Sequence, residues 1–337
     1  MANQQTQQKQ IVTSGIRPTG ELHLGNYYGA LLNLTRLQDQ YDAYFFIVDL
    51  HSLTTHPNSA DLRRNLIGVA RDYVAAGLDP EKCALYAQSS ISDLIGELHT
   101  YLSMVMPLGE LLRCPTFKEK AKKHPDNINY GLVGYPVLMA ADILIHKGTL
   151  VPVGEDQVVH LEMARTIVRR FQQIYGDLFP EPQPLIENAV RIPALSGQGK
   201  MSKSDARDSY ISMRDESDQI QAKVKKAYSD PARVYKHQPG HPTIEGCNIY
   251  HLHSFFTEAD LLDGLAAQCQ QAAIGCADCK HHLATSLTSI VEPFRERRAQ
   301  VSDDDVVDIL TIGGQKARAS AELVLAEVRS AMGLRTF

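Results

Sequence analysis

The chain has 337 residues, 44% of them hydrophobic and 22% charged, with a formal net charge of −5. That is enough apolar material for a full core and one smaller companion domain, and too acidic a balance to coat nucleic acid through the overall field, so any RNA contact has to be local. The opening MANQQTQQKQ lacks the apolar stretch of a signal peptide, and no later run nears the roughly 18 to 20 apolar residues of a bilayer span. The expectation is a cytoplasmic chain with no membrane contact, whose residues 1–10 form a disordered tip.

Residues 11–30 read as a short strand at Ile11 and Val12, a turn rich in Gly and Pro over 14–20, and a helix opening near His23. YFFIVDL at 44–50 and CALYAQ at 83–88 read as buried strands, with helix-like segments at 62–76 and after Asp93. Strands alternating with helices predict an α/β fold: a doubly wound parallel sheet of Rossmann type that takes ligands at the carboxyl ends of its strands. The apolar run 94–112 suits either a core helix or an interface helix. In YPVLMAADILIH, from Tyr135, the proline suits a first helical turn, and Met139, Asp142 and Ile143 share one face. A carboxylate so placed is costly to bury unless it meets a donor from an arginine, the backbone or a ligand. VPVGEDQ at 151–157 follows, and then the amphipathic VVHLEMARTIVRRF.

Beyond Ser212 the strand signal fades, and 261–273, 280–292 and 319–332 fit helical periodicity. The expected division is a Rossmann catalytic domain over 11–200, a loop and linker over 201–212, and a mostly helical second domain over 213–337. In the basic run 223–236, Lys223, Lys225, Lys226, Arg233 and Lys236 face Asp230 alone, which suits either an RNA contact or a solvated helix face. Four of the six cysteines, Cys247, Cys269, Cys276 and Cys279, follow the spacing C-x21-C-x6-C-x2-C, with His281 and His282 close behind. Four thiolates with one CxxC pair suit tetrahedral zinc or an iron-sulfur cluster. Small, reduced, unliganded cysteines are the alternative.

Two short motifs belong together: His23-Leu24-Gly25-Asn26 where the first helix opens, and Lys200-Met201-Ser202-Lys203-Ser204 inside the polar, glycine-bearing segment GQGKMSKSD. A helix N-terminus with a close-approach glycine is an anion site. Lysines on a loop can fold over a polyphosphate and offset charge developing at its central phosphorus. The pair makes sense around ATP.

In form, order and placement these motifs resemble the two hallmarks of class I aminoacyl-tRNA synthetases. GIRPTGELHLGNYYGAL, DLHSLTT at 49–55, GELLRCPTFKEK at 109–120, YPVLMAADILIH and VPVGEDQ resemble the bacterial-type tryptophanyl-tRNA synthetases, over nearly the whole chain and most strongly from 14 to 205. Asn26 stands where the first motif often ends in His, a change shared with the tryptophan branch; its amide still donates but carries no charge.

The resemblance implies activation of L-tryptophan with ATP and Mg2+, then transfer to tRNA(Trp), by a homodimer whose helical domain binds the anticodon. It implies catalytic roles for Lys200, Lys203, His23 and Asn26. ATP contacts would come from Arg17, Pro18, Thr19, Gly25, Asn26, Gly154, Glu155, Asp156, Ile192, Lys200, Met201, Ser202, Lys203 and Ser204, with Lys120 reaching the pyrophosphate. Asp142 would accept the indole N–H with Met139 against the ring, Tyr135 and Gln157 would hold the ammonium group, and His51 and Val153 would complete the pocket. A buried acceptor left empty by phenylalanine penalises the wrong substrate heavily. Arg17 stands where many bacterial members have Gln, and Thr13 where some have an aromatic residue. The cysteine spacing is similar to that of a subset of the family holding a [4Fe-4S] cluster, with zinc and no metal remaining open. A tyrosyl-tRNA synthetase, a silent RNA- or protein-binding paralogue and a small-metabolite nucleotidylyltransferase are the competing readings.

Overall fold

The computed structural model describes residues 9–18, 20–55, 57–123, 125–154, 157–186, 190–203 and 205–334. Thr19, Glu155, Asp156, Ser204, the side chain of Lys120 and most of the expected N-terminal tip lie outside the described residues.

Five strands form one sheet: β1 (Ile11–Ile16), β2 (Asp42–Ile47), β3 (Cys83–Ala87), β4 (Leu150–Pro152) and β5 (Gln183–Leu185). Their order is β3-β2-β1-β4-β5, and every pairing is parallel. This is the doubly wound arrangement expected, with strand order reversing between β1 and β4, where such sheets place a ligand crevice. β2 and β3 carry near-continuous apolar runs, as strands covered on both faces must: Phe45, Ile47, Leu85 and Tyr86 are fully buried.

The chain divides into two compact units that do not follow sequence order. One takes residues 1–20, 34–188 and 302–337; the other takes 21–33 and 189–301. Two boundaries therefore differ from the sequence expectation. The linker placed at 201–212 lies within the second unit, together with the HLGN segment from the start of the chain. The helical region 213–337 is divided. Helices α10 (Ser217–Lys226), α11 (Asn248–Phe256), α12 (Ala259–Gln270) and α13 (Cys276–Ala299) belong to the second unit, and α14 (Asp303–Ala331) packs on β3 in the first.

The physical reason is a glycine pair in α14. A Cβ on Gly313 would overlap the Leu85 carbonyl, and one on Gly314 would lie 3.0 Å from the Ser90 Cβ. Only a glycine surface lets the helix approach the strand so closely. Ser302 caps α14 in a capping box with Asp305, and three aspartates fill the first turn. Ala317, Ala321, Leu325 and Val328 then join the sheet's core with α5 (Ser92–Ser103), α8 (Tyr130–Leu144) and α9 (Val158–Tyr175).

Two local expectations also change. α8 starts at Tyr130 behind the Asn129 cap, so Pro136 lies inside the helix rather than in its first turn and leaves one carbonyl of the ladder without its N–H. In the basic run, Lys223 is buried in an ion pair with Asp215 at 2.6 Å, and Arg233 is buried against the carbonyls of Lys236 and Ile274. The exposed remainder is Lys225, Lys226 (paired with Asp208) and Lys236.

Candidate active site

In the first unit, three neighbouring segments meet around one carboxylate. Asp142 sits in the last turn of α8, only 1% exposed. Its Oδ1 accepts from Gln88 Nε2 at 2.7 Å; its Oδ2 accepts from the same nitrogen at 2.9 Å and from His51 Nε2 at 2.9 Å. His51 stands in α3 (Asp49–Ser52), just past β2, and Gln88 just past β3. Both donors come from the carboxyl ends of strands. Burial pushes the Asp142 carboxyl up, while His51 and Gln88 pull it back. The partner is thus a side-chain amide and an imidazole, not the arginine or backbone group considered from sequence.

Two helical turns earlier, Tyr135 hydroxyl meets His160 Nε2, and His160 Nδ1 meets Gln157 Oε1 at 2.9 Å. Since Gln157 Oε1 can only accept, Nδ1 carries the hydrogen; in the neutral ring Nε2 then accepts from the tyrosine. The His51 and Tyr135 rings lie edge to face at 6.1 Å. Met139 and Val153 pack on the cluster of Ile143, Val151 and Leu161. The structure thus gathers Asp142 with His51, Tyr135 with Gln157, and Met139 with Val153. Thr13 is fully buried with its hydroxyl unpartnered among the described residues, and Arg17 and Gly154 are exposed where β1 and β4 end, with Pro18 buried beside Arg17.

In the second unit, residues far apart in sequence form one surface. His23 caps α1 (Leu24–Asn26): its Nδ1 accepts the Asn26 N–H at 3.2 Å, while Asn26 Oδ1 faces the His23 N–H at 3.4 Å. Leu24 N–H donates to Ile211 at 3.0 Å. The KMSKS segment returns against 192–194, with Met201 N–H on Ile192 O at 2.9 Å and a bridge between Pro193 and Lys200. Gly197 and Gly199 turn it at φ of +74° and +70°, where side chains are strained. A Cβ on Gly25 would press on the His23 ring at 2.9 Å and lie 3.5 Å from Met201 Cβ, so the two motifs are neighbours. Lys200 is exposed, Ser202 and Lys203 half-buried, and Met201 and Ile192 buried. Burial, then Lys203 and Lys200, lower the His23 imidazole to about 4. His23 is therefore neutral at pH 7, and because Nδ1 is already an acceptor, its proton is on Nε2.

The four cysteines also lie in the second unit, beside or within α11, α12 and α13. Burial pushes the Cys279 thiol up to about 12, with Cys247, Cys269 and Cys276 adding to it. Arg233 Nη1 reaches Cys269 Sγ at 3.5 Å, and His253 Nε2 lies 3.5 Å from Cys279 Sγ. Among the described residues no group of three or more His, Cys, Asp or Glu is arranged to hold a single metal ion.

Sequence reasoning missed Gln88 and His160. Gln88 closes a strand that is otherwise apolar, and a polar residue at a strand's carboxyl end was the available signal. His160 lies on the buried face of α9, where periodicity alone does not separate it from a core position.

Residues 5–292 match the family of class I tRNA synthetases for W and Y. The tryptophan–tRNA ligase of Porphyromonas gingivalis is 40% identical over 97% of this chain and 100% of its own length, and that of Deinococcus radiodurans 41% identical over 96% and 98%. The solved structure of tryptophanyl-tRNA synthetase from Campylobacter jejuni complexed with ADP and tryptophan is 28% identical, covers 96% of this chain and 100% of that one, and superposes with a TM-score of 0.88. With relatives matched along their whole length and both signature motifs brought together, the chain belongs to the class I tRNA synthetases for tryptophan and tyrosine, in their bacterial tryptophanyl branch.

Proposed function

We propose that this chain activates L-tryptophan with ATP, giving tryptophanyl-adenylate and pyrophosphate, and transfers the tryptophanyl group to tRNA(Trp). The observation that carries the reading is Asp142, a buried carboxylate held by two side-chain donors in the same unit as the Tyr135–His160–Gln157 chain. An N–H aimed at Asp142 and an ammonium group held by Tyr135 and Gln157 describe tryptophan; a phenolic hydroxyl would use the carboxylate too, but the tryptophan ligases matched along their whole length favour the indole.

In the first step the tryptophan carboxylate oxygen attacks the α-phosphorus of ATP, the Pα–O bond to the β-phosphate breaks, and pyrophosphate leaves with the electron pair. A carboxylate nucleophile needs no general base. Catalysis is positioning and charge stabilisation: His23 donates its Nε2–H, the Asn26 amide donates, and the Lys200 and Lys203 ammonium groups offset charge on the phosphates. Gly25 leaves room for the nucleotide to approach. Arg17, Pro18, Gly154, Ile192, Met201 and Ser202 complete the proposed ATP set. Mg2+ carried with the nucleotide would neutralise phosphate oxygens. In the second step the hydroxyl of the terminal tRNA ribose displaces AMP.

Three further assignments belong to this reading. The cysteines would hold a [4Fe-4S] cluster, with zinc the alternative: the four thiols act on one another electrostatically, and Arg233 offers an N–H donor to one sulfur. Its role would be structural, in a helical region that contacts the tRNA anticodon. The enzyme would be a cytoplasmic homodimer; among the described residues no helix is long and apolar enough to cross a membrane.

The test is tryptophan-dependent ATP–pyrophosphate exchange on protein purified without oxygen, with tyrosine in parallel. Exchange with tryptophan that is lost in Asp142→Ala is the expected result. Exchange with tyrosine alone, or none, would overturn the assignment.

A further inference from the structure

Asp142 has two oxygens and about four acceptor positions, and their use is uneven. Oδ2 takes two hydrogen bonds, from Gln88 and His51; Oδ1 takes one, from Gln88. One acceptor position on Oδ1 is left for an incoming N–H. What holds the carboxylate in that orientation is Gln88, which is completely buried.

Three features make Gln88 more than a packing residue. Its amide orientation is determined by its surroundings, because Oε1 accepts the His51 backbone N–H at 3.3 Å; the reversed amide would place its oxygen against a carboxylate. The contacts close a ring: Gln88 to Asp142, Asp142 to His51, and His51 back to Gln88. The two strand ends that carry this ring are tied together next door, where Asp49 accepts from Ser89 N–H at 3.0 Å and from Ser89 Oγ at 2.5 Å. An amide is also the right chemistry for the task. It donates to the carboxylate as a lysine or arginine would, yet adds no charge to compete with the ligand's N–H for the remaining lone pair.

We propose that Gln88 is a positioning residue that sets the Oδ1 acceptor of Asp142, and through it the enzyme's preference for tryptophan over an isostere with no ring N–H. This rests on Asp142 being the indole acceptor.

The probe is β-(benzothien-3-yl)alanine, in which sulfur replaces the indole N–H at nearly unchanged shape. The quantity is the ratio of kcat/KM for tryptophan to that for the sulfur isostere in ATP–pyrophosphate exchange, measured on the full chain, wild type and Gln88→Met. A misplaced acceptor forfeits a charge-assisted hydrogen bond, so the ratio should fall by roughly tenfold or more, mainly through a higher KM for tryptophan while the isostere is used as before. Equal losses for both substrates would mean general damage to the pocket and overturn the proposal. Gln88→Glu, which keeps the shape and sets an acceptor against Asp142, is the second variant should the methionine disturb folding; its ratio should also collapse, and a ratio held at the wild-type value overturns the proposal. A wild-type enzyme that does not distinguish the two substrates removes the indole reading of Asp142 itself, whereas a clear wild-type preference unchanged in both variants removes only the role of Gln88.

Discussion

His23 shows how a single residue can be tied to both motifs. Its Nδ1 is fixed as an acceptor by the Asn26 N–H, and burial with two lysines nearby lowers the ring to about 4. The imidazole is thus a neutral Nε2–H donor throughout the physiological range, not a cation that titrates near 6.5. Two outcomes follow. Ring nitrogen NMR should report an Nε2–H tautomer at pH 7 with titration near 4, and a midpoint between about 6 and 7 would refute the assignment. His23→Ala should lower kcat for exchange by about 100-fold, the usual effect of removing one donor to a developing charge, with a smaller change in KM for tryptophan. At this scale the sequence was most legible where a residue belongs to a contiguous motif. His23, Gly25, Lys200 and Asp142 could each be picked out from their neighbours in the chain. Gln88 and His160 could not, because their significance depends on partners 54 and 25 positions away.

Among the elements, α14 is the one whose place was least legible. Periodicity shows that a helix has a buried face but not what lies beneath it, and α14 has the same amphipathic character as its sequence neighbours in the second unit. Gly313 and Gly314 in mid-helix were the signal of close approach. Helix propensity favours Ala over Gly by about 1 kcal/mol, while forcing a methyl into a packed contact costs about 1–3 kcal/mol or more. With the added Cβ falling on the Leu85 carbonyl, the overlap outweighs the propensity gain. Gly313→Ala should therefore lower the urea midpoint, whereas Gly264→Ala in α12, where a Cβ meets nothing within 4 Å, should not. Equal midpoints for the two would mean the helix yields without cost. β4 and β5 were missed for a simpler reason: three residues each, one including Pro184 and the other Pro152, are too short to show alternation.

The docking of α14 also has a pH dependence. His146, just past α8, is buried between Tyr86 hydroxyl at 2.9 Å and Ser320 Oγ of α14 at 3.1 Å, and stacks on Tyr44 at 4.1 Å. Burial lowers it to about 3, below the ordinary value near 6.5. Between those values the unfolded chain binds more protons than the folded one, so stability falls as pH drops through 6.5 toward 3 and is complete above that window. In His146→Gln this contribution is absent. The urea midpoint of the wild type should decline toward that of the variant as pH is lowered from about 7 to 5; a constant gap would show that the folded imidazole takes up its proton over the same range as the unfolded one.

For the whole molecule, the apolar run 94–112 admitted two readings from sequence, and the structure buries its first half while leaving part of the second exposed. Leu94, Ile95, Leu98 and Leu102 turn into the core, while Met104 is 71% exposed and Leu108 61%. α6 (Leu108–Arg113) packs on α8, whose first residue, Tyr130, is 69% exposed. A cleft of about 280 Å³ among α3, α5 and α8 is lined by Leu50, Leu53, Ile95, His99, Tyr130 and Leu138. Scattered exposed apolar side chains are ordinary; several on helices that pack together mark an interaction face. This face is the natural one for the proposed homodimer, and its identity is testable without disturbing the core. Met104→Glu combined with Leu108→Glu places two like charges on each copy at a two-fold contact, where each residue type meets the same surface of its mate. Sedimentation should show a dimer for the wild type and a monomer for the double variant, with thermal unfolding of the monomer still cooperative. A double variant that remains dimeric would locate the interface elsewhere on the chain.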